Sequence, residues 1–349
     1  MSALNSNISL NDIVSLLSAK GERQKKLHKS ADTITLNSFK GKVWLRGIIE
    51  YSNICFKNCY YCGIRKDNNK LKRYRLNGNE TVEKAVYAWK SGLGSVLLQS
   101  GEERSNLFIE SVNNIIKEIK KRTNGELAIV LSMGEQSTKT YKKWFNSGAH
   151  RYLLRIESSN KELYEKLHPN DNLHNFNNRL KAVESLKKVG FITGTGIMTG
   201  LPGQSKEDIA KDILFIKERE ILMSGNGPYI VHKETPLFNS YTNIPDANER
   251  VNLTLNMIAL LRILMPNINI AATTALDALD KKGRLKALKA GANVIMPNIT
   301  PTKQKKSYSI YSNKPGINNS LSDNIKNVEE IVKESGKIIA YNEWGDPLQ

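Results

Sequence analysis

Eight short apolar runs, each separated from the next by an amphipathic stretch of helical period, constrain the fold of this 349-residue chain more than any other feature. The runs lie at 43–51, 95–99, 127–132, 151–155, 191–198, 226–231, 268–273 (interrupted by Ala271 and Ala272) and 292–297. Helical patterns fall at 80–91, 105–122, 137–147, 177–189, 205–218, 247–264, 279–290 and 322–335. Strand-length and helix-length patterns in alternation mark βα units on a parallel sheet, and eight such units close more readily into a barrel than into an open sheet. The chain therefore reads as an α/β protein, a (β/α)8 TIM-type barrel over about 43–300. An N-terminal helical lead-in (1–42) and a C-terminal helical extension (301–349) flank it. Neither flank, including the lysine- and asparagine-rich stretch at 302–325, is large enough to stand alone, so the whole chain, 1–349, is expected to be one domain.

In such a barrel the residues just after each strand form the catalytic mouth. Here those positions read Gln99-Ser100-Gly101-Glu102 after the second run and Ser132-Met133-Gly134-Glu135 after the third. Arg155 and Glu157 follow in the fourth, Met198-Thr199-Gly200 in the fifth, His232 after the sixth, Thr273-Thr274 after the seventh and Pro297-Asn298 after the eighth. Loops are polar everywhere, which accounts for one or two of these. It does not account for two charges inside YLLRIE, which flank Ile156 and so project to the same side of a strand. They would either grip a ligand together or serve as a structural ion pair.

The first run leads into the three cysteines of the chain, Cys55, Cys59 and Cys62, spaced Cys-x3-Cys-x2-Cys. Three thiolates bind a four-iron, four-sulfur cluster at three irons and leave the fourth open. An open iron suits a chelating small molecule, above all S-adenosylmethionine (SAM) through its amino and carboxylate groups; the radical chemistry would then be the cofactor's, with the protein positioning it. Tyr61, just before the last cysteine, is placed to pack beside an adenine. A mononuclear zinc site needs a fourth ligand two to four residues from a thiolate partner. None of the five histidines (His28, His150, His168, His174 and His232) stands there. An odd cysteine count without a signal peptide also fits a disulfide poorly.

Composition narrows the partners. No apolar run approaches the roughly 20 residues of a membrane span, and the polar N-terminus has no h-region, so a cytoplasmic protein without membrane contact is expected. The net charge of +18 raises nucleic acid as a ligand. Its lysines are scattered over helix faces, as at Lys117, Lys120 and Lys121, with no aromatic-interleaved stripe, so no nucleic-acid partner is expected and an acidic protein partner stays open. The competing class is a zinc-stabilised basic RNA-binding protein, which predicts steeply salt-dependent binding and no iron–sulfur absorbance. The glycine-rich GTGIMTGLPGQ (194–204) lacks the ending of a phosphate loop and the spacing of a dinucleotide fingerprint. Small residues in a barrel strand instead let a backbone approach a cofactor closely, here adenosine.

Taken together, RGIIEYSNICFKNCYYCGIRKDNNKLKRYRL (46–76), LLQSGEE (97–103), RYLLRIES (151–158), GTGIMTGLPGQ (194–204), NGPYIVHKETPL (226–237), NIAATTALDAL (269–279) and GANVIMPNITPT (291–302) resemble the HydE family of [FeFe]-hydrogenase maturases. That family lies within the biotin synthase and methylornithine synthase group of radical SAM enzymes, and the resemblance spans about 46–311. It implies that Cys55, Cys59 and Cys62 ligate one [4Fe-4S] cluster that binds SAM and cleaves it reductively to a 5′-deoxyadenosyl radical. Gly101-Glu102 matches the SAM-amino motif, so Gln99, Ser100, Gly101 and Glu102 are read as cofactor-binding, with Tyr61, Arg155, Glu157, Arg179 and Met198. Met223, Thr273, Thr274, Tyr308 and Tyr311 match residues lining an internal substrate cavity.

The implied role is in assembly of the diiron subcluster of the hydrogenase active site. The substrate would be an iron–carbonyl–cyanide–cysteine precursor, with HydG and HydF as partner maturases and ferredoxin or flavodoxin as electron donor. A paralogue with another substrate, such as an amino-acid mutase like methylornithine synthase or a maturase of another metal cofactor, would share cluster, SAM and barrel. The chain departs from the pattern in three places. No cysteine follows Cys62, so the second cluster of some relatives is expected to be absent; His168 stands in KLHP where relatives often carry Arg; and Tyr311 is followed by Ser-Asn-Lys-Pro-Gly instead of Tyr-Pro-Gly-Lys.

Overall fold

The computed structural model describes residues 8–240 and 244–348. Eight parallel strands close on themselves in chain order: Lys42–Ser52, Ser95–Ser100, Ala128–Ser132, Arg151–Leu153, Ile192–Thr195, Met223–Ser224, Asn269–Ala272 and Val294–Ile295. Closure is made by the eighth strand on the first, with Trp44 opposite Val294 and Leu45 opposite Ile295. It continues beyond the strand, where the Ile48 N–H donates to Pro297 O and the Ile299 N–H to Ile48 O, each at 2.9 Å.

Alternation along the first strand sorts its side chains. Leu45, Ile49 and Tyr51 point outward into the large apolar shell between barrel and helices. Ile48 points inward against Leu97, Val130 and Met296. Arg46 also faces the lumen, beside a cavity of about 30 Å³ lined by Leu153, Met223 and Asn269. The helices of the outer ring begin with side-chain caps, as at Asn77, Ser105, Ser137, Asn175, Ser205 and Asp246, which satisfy amide groups a helix start leaves free.

Seven of the eight strands lie inside or within a few residues of the apolar runs. The sixth does not: NGPYIV was expected to form it, and the barrel uses Met223–Ser224 instead. Gly227–Pro228 turns out of the wall and pairs with Met198–Thr199 as a separate two-stranded sheet. Pro228 has no N–H for a barrel ladder, and the Asn226 side chain takes the Ile197 N–H at 3.1 Å, so the strand register is replaced by a side-chain bond. Elsewhere the structure adds Lys161–Lys166 and Thr274–Leu279 as short helices. The C-terminal extension holds the expected helix as Leu321–Glu334 and then returns to the barrel floor, where Ile338–Ile339 pairs in parallel with Lys42 and Val43.

Candidate active site

Twenty-odd residues after the first strand form the loop that carries the thiols. Cys55, Cys59 and Cys62 are unpaired and half-buried. The loop is tied down from three sides. The Glu102 N–H donates to Cys55 Sγ at 3.3 Å, and the Phe56 N–H donates to Glu102 O at 2.8 Å. The Asn58 N–H donates to Nε2 of His174, whose Nδ1 is 2.7 Å from Asp171. Arg73 spreads its guanidinium over the carbonyls of Asn53, Ile64, Arg65, Lys66 and Asn68. Two glycines let other segments close on the loop: a Cβ on Gly101 would stand 2.3 Å from Ile54 O, and one on Gly63 would stand 2.1 Å from Ser309 O.

Burial pushes the Cys59 thiol up to about 12, and the neighbouring Cys55 adds to it. Burial likewise raises Cys62, with Cys59 and Cys55 adding. Three thiolates gathered in one desolvated pocket repel one another and call for a polycation among them. Among the described residues no three His, Cys, Asp or Glu side chains converge on a point that one metal ion would fill. A polynuclear cluster, with each thiolate on its own iron, suits three thiols on such a loop.

The strand ends opposite the loop carry charge. The fourth strand ends at Leu153, so strand alternation does not align Arg155 and Glu157, yet they bind each other through two hydrogen bonds of 2.8 Å. Glu157 holds a left-handed φ of +63°, a conformation a residue with a side chain adopts at a cost. Arg155 also donates to Gly225 O. A Cβ on Gly196 would come within 2.4 Å of Arg155 Nη1 and of Gly225 O. The small residue there makes room for the arginine, where sequence reasoning assigned that space to a cofactor. Arg179 donates to Glu135 and to the Arg155 carbonyl.

The Glu102 carboxylate is engaged within the protein, 2.6 Å from Arg104 Nη2 and 2.9 Å from the Glu135 N–H. Gly134 makes this approach possible, since a Cβ on it would meet the Glu102 carboxylate at 2.5 Å. The Glu102 carboxylate also reaches Lys57 of the loop at 3.5 Å, and what this residue offers the thiols themselves is its backbone. Ser100 bonds the Gly101 carbonyl, and Gln99 stands in register between Glu50 and Ser132 at the strand ends. Tyr61 donates its hydroxyl to Nε2 of His168 at 3.2 Å, because Nδ1 of that histidine bonds Tyr164 O. The Tyr61 ring and Met198 share one apolar patch with Leu163, Leu167, Tyr229 and Leu237.

The residues expected to line a substrate cavity fall in two groups. Thr274 and Tyr311 hold each other at 3.0 Å, with buried Tyr308 close by in the chain under the Lys314 ammonium, 5.1 Å from its ring. Thr273 bonds Asn226 O at 2.8 Å. Met223 lies deeper in the lumen, its sulfur 3.8 Å from Arg46.

Three comparisons bear on this arrangement. Residues 49–216 match the model of the Radical SAM superfamily. The [FeFe] hydrogenase maturase subunit HydE of Thermotoga maritima is 45% identical over 288 residues, 82% of this chain and 79% of that protein. The chain belongs to the HydE family of radical SAM enzymes. The 3-methylornithine synthase of Methanosarcina barkeri is 30% identical over 84% of this chain and 80% of its own length. In fold, the HydE-family barrel matches the crystal structure of methylornithine synthase PylB with a TM-score of 0.80 at 24% identity, covering 96% and 95% of the two chains. It also matches the maturase HydG of Carboxydothermus hydrogenoformans at 0.77 and 21% identity, covering 96% and 76%. No helix among the described residues is long and apolar enough to cross a membrane.

Sequence reasoning singled out Glu135 only as part of a polar strand end. In this HydE-family fold it is the hub of the site: Lys57, Arg104 and Arg179 all reach it, at 2.5 Å for Lys57 and 3.3 Å for Arg104. Burial pushes its carboxyl up, but Arg179 and Lys57 more than offset this and hold it at about 2. Two signals pointed there. Gly-Glu ends both the second and third strands, at 101–102 and 134–135, and Lys57 is a lysine between two cysteines. Arg73 and the loop-holding His174 gave no signal, because what they hold in the loop is its backbone.

Proposed function

We propose that this enzyme binds one [4Fe-4S] cluster on Cys55, Cys59 and Cys62 and SAM in the mouth beside it. When bound, the cluster supplies the electron that splits the sulfonium of SAM into methionine and a 5′-deoxyadenosyl radical. Gly101 and Glu102 would meet the methionine end through backbone groups, since the Glu102 side chain is already engaged. Arg155, Glu157 and Arg179 would address the SAM carboxylate and ribose, Tyr61 and Met198 the adenine side, with Gln99 and Ser100 alongside. Met223, Thr273, Thr274, Tyr308 and Tyr311 would line the substrate space. Enclosure matters because a primary carbon radical takes hydrogen from whatever it meets, so water and stray donors must be excluded.

The reaction proposed is a step in assembling the diiron subcluster of the [FeFe]-hydrogenase active site. It would act on an iron–carbonyl–cyanide–cysteine precursor in the cytoplasm, alongside HydG and HydF, with ferredoxin or flavodoxin as reductant. The 45% identity to a named HydE across most of both chains is the observation that carries this reading. An anaerobic cell-free maturation assay, with the reconstituted protein in place of the HydE component, tests it. Recovery of hydrogen evolution is the expected result. Failure with an intact cluster and continued SAM cleavage would mean a paralogue acting on another substrate, and the 30% identity to 3-methylornithine synthase makes an amino acid the first to try.

A further inference from the structure

We propose that the outer face of the thiol loop, centred on Phe56 and bordered by Lys66 and Lys72, is the docking surface for an acidic electron-carrier protein. The proposal rests on the reading that a cluster occupies the three thiols. Phe56 follows Cys55 directly and precedes Lys57, which is buried, yet its own ring is 45% exposed. Its backbone is fixed by the bond to Glu102 O, so the ring is presented to solvent from a rigid base. Exposed aromatic side chains held this way are typical interface anchors.

The loop around Phe56 is rich in cations, with the carboxylates of Asp67 and Asp171 lying on the Asn58 side. Segment 56–75 holds seven Lys and Arg and one acid, Asp67. Most of those cations have an internal occupation: Lys57 on Glu135, Arg65 beside Asp67, Lys70 on Glu234, Arg75 on Glu103, and Arg73 on carbonyls. Lys66 and Lys72 are exposed and form no ion pair among the described residues. Both are anchored at the root of the loop, Lys66 through its N–H on Lys57 O at 2.8 Å and Lys72 through its carbonyl on the Asn53 side chain at 2.9 Å.

An apolar centre with an unpaired basic rim fits a partner with an apolar spot in an acidic field. The position selects what kind. Phe56 is the exposed side chain covalently next to a thiol, so a redox protein seated there has the shortest covalent path to the cluster that this surface offers. The electron count is one for one: the carrier is oxidised by one electron and the iron–sulfur site is reduced by one.

The test is anaerobic stopped-flow reduction of the reconstituted holoenzyme by reduced plant-type ferredoxin, against reduced methyl viologen, a small cation that needs no docking surface. The wild-type rate with ferredoxin should fall by about tenfold or more as salt is raised several-fold, as expected of steered association. K66E/K72E and F56S should each lower the ferredoxin rate at low salt by about tenfold, while the viologen rate stays within about twofold of wild type. Unchanged ferredoxin rates in both variants, or a wild-type rate without salt dependence, would overturn the docking surface. A wild-type protein that viologen cannot reduce would overturn the cofactor reading instead. K66Q/K72Q decides the matter if the charge-reversed pair does not take up iron: it should lose part of the ferredoxin rate, and full retention counts against the proposal.

Discussion

The fourth strand and the segment that follows it carry an arginine at each end of the barrel, and the two do opposite work. Arg151, at the floor, is fully buried and donates to Asp346 and to the Trp344 carbonyl, almost two hundred residues further along the chain. Arg155, at the mouth, pairs with Glu157, two residues away. A pair between distant segments pins one to the other. A pair between residues two apart joins no distant segments, and what ties Arg155 to the rest of the barrel is its bond to Gly225 O and the Arg179 bond to its carbonyl. The floor around Arg151 follows the same logic: Asn269 donates to Gly345 O, Lys42 pairs with Glu343, and Gly345 packs so closely on Trp44 that a Cβ would stand 2.3 Å from its ring. The mouth instead gathers the thiols, a left-handed Glu157, and three cations, Lys57, Arg104 and Arg179, that meet on the one carboxylate of Glu135. Buried charges clustered beside thiols at the mouth of a barrel are what a ligand site looks like.

The widest gap between the two ends should come from the thiols. Cys59→Ser is expected to remove nearly all bound cluster and to take SAM cleavage below about 1% of wild type, since the chemistry belongs to the bound group. Absorbance and iron content after reconstitution check it, and a variant that still cleaves SAM at full rate would refute the assignment. Thermal unfolding of the metal-free protein should barely move, because none of the floor contacts is touched.

How far the sequence carried this contrast varies by element. A near-continuous apolar run made the first strand legible and the helical period the 247–264 helix, since both are buried along most of their length. The sixth strand was hidden because the apolar run NGPYIV belongs to the mouth, and the run that leads into Met223 and Ser224, residues 221–223, is only three residues long. The thiols were legible from spacing, and Arg155 and Glu157 as a pair, though they lie past the strand that was expected to align them. The hub at Glu135 needed the third dimension: three cations reach it from residues 57, 104 and 179, and no local pattern links those positions. The floor was invisible for the same reason, since Asp346 lies in a polar tail with no motif.

Paired substitutions sharpen the comparison next. Glu157→Gln keeps size and removes charge, and is expected to weaken SAM binding by about ten- to a hundredfold, with the unfolding midpoint shifted by no more than about 2 °C. Equilibrium binding of SAM to the reconstituted protein decides it; unchanged affinity would return the pair to a structural role. Asp346→Asn should do the reverse, leaving SAM affinity within about twofold. It leaves buried Arg151 without a countercharge, at a cost of about 1–2 kcal/mol, discounted from the buried-pair figure because the aspartate is two-fifths exposed. Urea unfolding of the metal-free protein measures that loss, and a SAM defect in Asp346→Asn would erase the division of labour between the two ends.

The smallest effect concerns acid. Burial pushes the Asp346 carboxyl up, but His150 and Arg151 more than offset this and hold it at about 2. An unfolded aspartate titrates near 3.9, so on unfolding at pH 3 this group takes up a proton that the folded state refuses. Its contribution to stability is therefore complete above about pH 4 and fades as pH falls through about 2. Glu135, also held at about 2, adds a second such group at the mouth. Stability of the wild type should thus drop between pH 4 and 2, and Asp346→Asn should drop less steeply, by no more than one proton in the slope. Parallel urea titrations across that range read the difference. Identical slopes would mean that the floor aspartate titrates alike folded and unfolded, and the Arg151 pair would then be a contact without electrostatic consequence.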